Sequence, residues 1–250
     1  MDDRALAHCQ WPPLGEPYAS ALRAAVSFVL GETTPLGIIA TGTIIRGHAH
    51  PASDIDLWVV HAAPHRRRVQ RFFCDVPTEI FINPPHTVRS YFASEQRGGR
   101  RVTAHMVATG FVMLDRDPVI ETLRAESREW LAQPELLSAD DVQRARYVAA
   151  TLLEDGADVT DVDSTVAALI LARAVTQMLE FWLRVHGHPV PRTKALVSEI
   201  SALEPSLGDL AIQFARAASP EERLALAYRI GDRTIEVRGF FEWDSGPEPV

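Results

Sequence analysis

The spacing of apolar residues along this chain changes part-way, and the change predicts two kinds of architecture. Between residues 17 and 30, Tyr18, Leu22, Ala25, Val26 and Val29 recur at helical intervals, with Gly31 placed to end the helix. Short apolar runs at 37–40 and 55–61 then read as strands, and "TEIFINPP" predicts a third strand stopped by Pro84 and Pro85. Between the second and third strands, Arg66, Arg67, Arg68 and Arg71 suggest a short exposed helix. From Val88 onward helical spacing takes over. Helices are expected over 88–96, 102–113, 117–132 and 139–154, with Asp117-Pro118 and Ser138-Ala139-Asp140-Asp141 as start signals. Residues 164–185 are apolar over much of a helical circumference and predict a buried helix. Two more helices are expected at 193–203 and 206–217, and "SPEERLALAYRIGDRTIEV" opens like a capping box with proline in the first turn. The pattern predicts an α+β chain, with a small mixed sheet and flanking helices over residues 1–135 and an all-helical bundle over 136–250.

Composition narrows the class. The chain has 250 residues, 46% of them hydrophobic, enough to bury a substantial core. Its two cysteines, Cys9 and Cys74, have neither metal-ligand spacing nor a disulfide framework, which suits a reducing compartment. The opening "MDDRALAHCQWPP" carries acids where a signal peptide needs bases, and no apolar run reads as a membrane span, so a cytoplasmic location is expected. The net charge of −8 argues against a sequence-independent grip on nucleic acid and fits a neutral or cationic small-molecule partner better.

The candidate chemistry lies in "TGTIIRGHAHPASDIDLWVV", residues 41–60. Alternate strand residues share a face, so Asp54 and Asp56 point the same way. Two carboxylates this close repel unless a cation sits between them, and all-oxygen ligation shared with phosphate oxygens is what Mg²⁺ prefers. The Gly42-Thr43 pair lets backbone approach a phosphate closely and supplies a hydroxyl donor. Gly42 to Gly47 also spells the glycine spacing of a P-loop, but His48 and Ala49 stand where that loop needs lysine and a hydroxyl residue, and a strand rather than a helix follows.

Residues 37–61 resemble the signature of the polymerase-β-type nucleotidyltransferase superfamily: glycine with a small hydroxyl residue, an Arg-Gly shortly after, then Ser-Asp-hydrophobic-Asp on a strand. The subgroup that the chain most resembles is the minimal bacterial type, including aminoglycoside nucleotidyltransferases, which join this domain to a C-terminal helical bundle. Thr43 replaces the commoner serine and keeps the hydroxyl. The resemblance implies that Asp54 and Asp56 ligate Mg²⁺, and that Gly42, Thr43, Arg46 and Ser53 belong to the nucleotide site. Glu79 is implied as the third carboxylate, either a metal ligand or a general base on an acceptor hydroxyl. The reaction implied is transfer of a nucleoside monophosphate, AMP from ATP or its equivalent from another triphosphate, to a small-molecule hydroxyl, an aminoglycoside-like antibiotic being one candidate. Two alternatives stand beside it: the same chemistry directed at tRNA or protein, as in toxin-type members, and a catalytically silent nucleotide-binding module.

Lys194 is the only lysine among 25 basic residues and sits beside Arg192 at a loop-to-helix entry, "HGHPVPRTKAL". A compact ammonium suits a phosphate, and related two-lobed transferases hold the triphosphate with such a residue, so Arg192 and Lys194 are read as nucleotide-binding. His48 and His50 lack a third zinc-ligand spacing and read as loop polarity. Asp155, Asp158, Asp161 and Asp163 read as an acidic loop that would attract a polycationic acceptor or simply connect helices. Phe181 and Trp182 are expected in the bundle core, and Trp243 over a hydrophobic seam.

Overall fold

The computed structural model of the chain describes residues 6–50, 53–134 and 137–246. Two compact units divide it, Met1–Gln133 and Pro134–Val250. The boundary expected at 135/136, the first five residues of the acidic opening and Pro51 of the motif loop all lie outside the described residues.

In the first unit the described elements run α1 (Tyr18–Glu32), β1 (Pro35–Thr41), β2 (Ile55–His61), β3 (Arg67–Phe73), β4 (Val76–Asn83), α2 (Pro85–Arg97), α3 (Val102–Thr109), β5 (Phe111–Asp115) and α4 (Val119–Ala132). The strands form one sheet in the order β3-β4-β2-β1-β5. β2 and β4 run parallel, and every other neighbouring pair is antiparallel. Period-two alternation sends Ile55, Leu57 and Val59 of β2 to the face covered by α1, while Trp58 and Val60 face the core formed with α2, α3 and α4. On that second face Trp58 stacks on Phe81 with ring centroids 5.1 Å apart and donates its indole N–H to the Met106 sulfur at 3.4 Å.

Three local readings are corrected. Arg67–Phe73 is a strand rather than a helix, joined to β4 through Cys74 and Asp75, whose φ values of 46° and 62° give the left-handed pair that a tight hairpin needs. The helix expected over 102–113 stops at Thr109, and the chain continues as β5. Gly110 stands at the switch with extended backbone, and only glycine fits there: a Cβ would lie 2.4 Å from Ile39 Cγ2 and 2.7 Å from the Met106 carbonyl oxygen. Gly31 does not terminate α1, which runs to Glu32.

The second unit is helical: α5 (Ala139–Asp158), α6 (Ser164–Val185), a 3₁₀ turn (Thr193–Ala195), α7 (Leu196–Leu203), α8 (Pro205–Arg216) and α9 (Pro220–Thr234). α5 opens with a reciprocal capping box: the Ser138 hydroxyl accepts from the Asp141 N–H, and the Asp141 carboxylate accepts from the Ser138 N–H. α9 is capped differently. The Ser219 hydroxyl accepts from the Glu222 N–H, while the Glu222 carboxylate reaches the Ala218 N–H instead of the cap residue. By length and composition alone α6 would suffice to cross a membrane, contrary to the expectation that no such run exists. In the fold it packs against α5 and α9 and buries Leu171, Val175, Met178, Phe181 and Leu183 in the unit's core. Trp182 is half-buried against that core and stacks on His186, with ring centroids 4.2 Å apart. Trp243 packs on Tyr147 at 5.1 Å.

Candidate active site

Strand register assembles the site. Asp56 pairs with Glu79 across the parallel β2–β4 ladder, with Thr41 across β1–β2, and Glu79 pairs with Gln70 across β3–β4. Directly opposed residues share a face, so Gln70, Glu79, Asp56 and Thr41 form one polar row across four strands. The next row on that face is Arg68, Phe81, Trp58 and Ile39. Helices α2, α3 and α4 cover the apolar part of the face.

Asp54 lies two residues before Asp56 and joins the row's acidic centre. Ligand oxygens of Asp54, Asp56 and Glu79 all fall within 4.8 Å of one another. Asp56 is 4% exposed, while Asp54 and Glu79 are half-buried. Three carboxylates at this spacing form an all-oxygen donor set suited to a hard divalent cation. A second feature fits such a group. The Thr41 hydroxyl is buried, has no hydrogen-bond partner and stands opposite Asp56.

Gly42 follows Thr41 directly, with φ +97°, and a Cβ on it would lie 2.9 Å from Asp56 Oδ2. Glycine is therefore required twice there, by conformation and by the carboxylate packed against it. The chain then makes a tight turn, in which the Arg46 N–H donates to the Gly42 carbonyl at 3.3 Å and the His48 N–H to the Thr43 carbonyl at 2.9 Å. The Thr43 and Ser53 hydroxyls lie 3.0 Å apart, and Ser53 Oγ accepts from the His50 N–H at 2.9 Å. This closes the loop between β1 and β2 and brings Thr43 and Ser53 together beside the aspartates. Arg46 is exposed on the turn.

Sequence reasoning missed the residues that hold Glu79. Arg68 Nη2 donates to both carboxylate oxygens, at 2.6 and 2.8 Å, and its guanidinium also lies 4.8 Å over the Phe81 ring. Gln70 Nε2 donates to Glu79 Oε1. The signal was present in the alternation of Arg68, Gln70 and Phe72, which share a face once the segment is read as a strand. Beside Glu79 opens a cleft of about 250 Å³, lined by Asp54, Gln70, Arg71, Phe72, Pro77, Thr78 and Glu79.

The remaining residues read from the sequence belong to the second unit. Arg192 and Lys194 are exposed at the 3₁₀ turn that leads into α7. The four acids read as one loop are divided: Asp155 and Asp158 belong to the last turns of α5, which runs past the expected residue 154, and Asp163 caps α6 by accepting from the Thr165 and Val166 N–H groups at 3.0 and 3.1 Å.

No known protein-family model matches the chain, and no curated protein does. Among solved structures the chain is similar to a nucleotidyltransferase-like protein from Exiguobacterium sibiricum 255-15, with 13% identity over 86% of this chain and 73% of that one and a TM-score of 0.54. At that identity the likeness shows the fold. The protein has a nucleotidyltransferase-like α+β fold with a helical unit after it, and it carries an acidic triad able to hold a metal ion.

Proposed function

We propose that the protein is a Mg²⁺-dependent nucleotidyltransferase that moves a nucleoside monophosphate, AMP from ATP, onto the hydroxyl of a small molecule in the cytoplasm. The observation that carries this reading is the packing of Gly42 against Asp56 within a cluster of three carboxylates, since it sets a phosphate-approachable loop beside a cation site. Asp54 and Asp56 would hold the metal, which when bound neutralises the triphosphate and the charge that builds up in the transition state. The turn from Gly42 to Arg46 and the paired hydroxyls of Thr43 and Ser53 orient the phosphates.

Glu79 takes the acceptor's proton. A carboxylate has roughly four lone-pair sites, and Arg68 and Gln70 together use three. That fixes the group's orientation and leaves one position for a hydroxyl. As the O–H proton passes to Glu79, the acceptor oxygen forms its bond to the α-phosphorus, the bond to the bridging oxygen breaks, and pyrophosphate leaves. Most of the rate enhancement then comes from positioning and charge neutralisation.

Labelled nucleoside triphosphates offered with Mg²⁺ and pools of hydroxyl acceptors test the reading. Asp54→Asn and Asp56→Asn are each expected to lose transfer by about a hundredfold or more and to weaken Mn²⁺ binding. Glu79→Gln is expected to lose transfer while keeping most of its Mn²⁺ affinity, as a base does and a metal ligand does not. Near-normal turnover in either aspartate variant would defeat the assignment.

A further inference from the structure

Phe72 is 71% exposed, and among the described residues of the first unit it is the one large hydrophobic side chain left in solvent. A lone exposed aromatic is ordinary on a protein surface. This one lines the cleft that also contains Asp54 and Glu79, and its register partner across the hairpin is Pro77, another lining residue. Phe72 follows Gln70 by two residues, so its ring stands on the same face as the Glu79 carboxylate. An apolar ring and a flat pyrrolidine therefore border a pocket whose far wall is the acid cluster. Its volume, about 250 Å³, lies just below the roughly 300–1,000 Å³ typical of pockets for drug-sized ligands, and suits a single ring.

Charge narrows the occupant further. Arg68 already matches Glu79 through two hydrogen bonds. With a divalent cation at Asp54 and Asp56, the carboxylates of the cleft are all matched by cations, so its own side chains offer no net negative charge to a polycation. The Arg71 guanidinium is turned to the opposite face, 5.3 Å over the Phe28 ring.

We propose that the Phe72–Pro77 platform is the acceptor subsite, and that it takes a hydroxyl compound carrying an aromatic ring and no positive charge. The ring stacks on Phe72 and its hydroxyl reaches Glu79. This rests on the nucleotidyltransferase reading for the role of Glu79, and it departs from the polycationic acceptor that the family resemblance suggests.

Direct binding tests the subsite without depending on turnover. The full chain with Mg²⁺ is titrated by calorimetry with 4-hydroxyphenylacetate and, separately, with the polycation neomycin, in wild type, Phe72→Ala and Phe72→Trp. The aryl probe is expected to bind wild type, to bind Phe72→Ala about fivefold or more weakly, and to recover with Phe72→Trp, in line with the contribution of an aromatic pair. Neomycin affinity is expected to be the same in all three. Absence of aryl binding, an aryl affinity within twofold of wild type in Phe72→Ala, or a neomycin affinity that falls with Phe72→Ala would each overturn the proposal. A parallel Mg²⁺–ATP titration separates the two readings. Its failure in wild type counts against nucleotidyl transfer alone, and it is expected to be unchanged by Phe72→Ala. Because the ring is exposed, its removal is expected to leave the melting temperature close to that of wild type.

Discussion

Gly42→Ala probes the link between the loop and the acid cluster, and its cost follows from two terms. At φ +97° the backbone is outside the conformations that an L side chain adopts, a strain of about 1–3 kcal/mol. The added methyl would also stand 2.9 Å from Asp56 Oδ2, some tenths of an ångström inside normal contact, against a side chain that is only 4% exposed. We expect a stability loss of about 2–3 kcal/mol and a melting temperature lower by about 5–10 °C. Displacing the carboxylate by a few tenths of an ångström exceeds the tolerance of about 0.2 Å at a metal ligand, so Mn²⁺ affinity should fall about tenfold. Gly47→Ala is the matched control. Its φ is +79°, but nothing lies within 4 Å of the added Cβ. It should lose stability through strain while keeping Mn²⁺ affinity. Thermal unfolding and Mn²⁺ titration of both variants decide the matter. Equal loss of metal affinity in the two would show that loop conformation, not contact with Asp56, governs the site. Wild-type stability and affinity in Gly42→Ala would refute the reasoning altogether.

Two further outcomes are expected in the helical unit. Lys194→Ala tests the nucleotide-binding role that the sequence suggests for Lys194: the apparent KM for nucleotide should rise severalfold with kcat little changed, and an unchanged KM in steady-state assays would refute that role. Ser138→Ala should cost about 1 kcal/mol near neutral pH as the loss of a helix cap. The Ser138 hydroxyl, which donates to the Asp141 carboxylate at 2.7 Å, is the main cause of that carboxyl's lowered pKa. A depressed folded-state value means that the stabilisation is complete above the ordinary carboxylate range and is lost as pH falls through and below it. The difference in urea midpoint between wild type and Ser138→Ala should therefore narrow from neutral pH to near pH 3, leaving the part due to the Asp141 N–H cap bond, which does not titrate; an unchanged difference would show that the hydroxyl–carboxylate bond does not carry the effect.

The half of the candidate site built on the β1–β2 loop was legible because its signals are local. Gly42, Thr43, Ser53, Asp54 and Asp56 sit within one loop and the strand that follows, where spacing alone decides which residues share a face. Long helices were equally plain: residues 164–185 were read at the limits that α6 has. Termini were less so where packing sets them. α3 ends at Gly110, where packing against Ile39 and the Met106 carbonyl leaves room for no residue but glycine, and nothing in its own neighbourhood announces a strand.

β3 shows why the other half stayed hidden. Its sequence, Arg-Arg-Val-Gln-Arg-Phe-Phe, lacks the apolar alternation of a half-buried strand because it is the sheet's edge, where both faces remain largely exposed and arginine discourages pairing with another chain. Its turn carries Cys74 and Asp75 in place of the asparagine or glycine that usually marks left-handed backbone. Read as a helix, those charges are merely solvated. As a strand, the same residues separate by face: Arg67 and Arg71 lie over Phe28, while Arg68, Gln70 and Phe72 turn toward Glu79. Alternation thus converts an apparently uniform basic run into two surfaces with different work, one packing against α1 and the other orienting a carboxylate and walling its cleft. On the function proposed above, the loop and strand β2 would supply the metal and phosphate contacts, and the edge strand would supply the platform on which an acceptor is chosen.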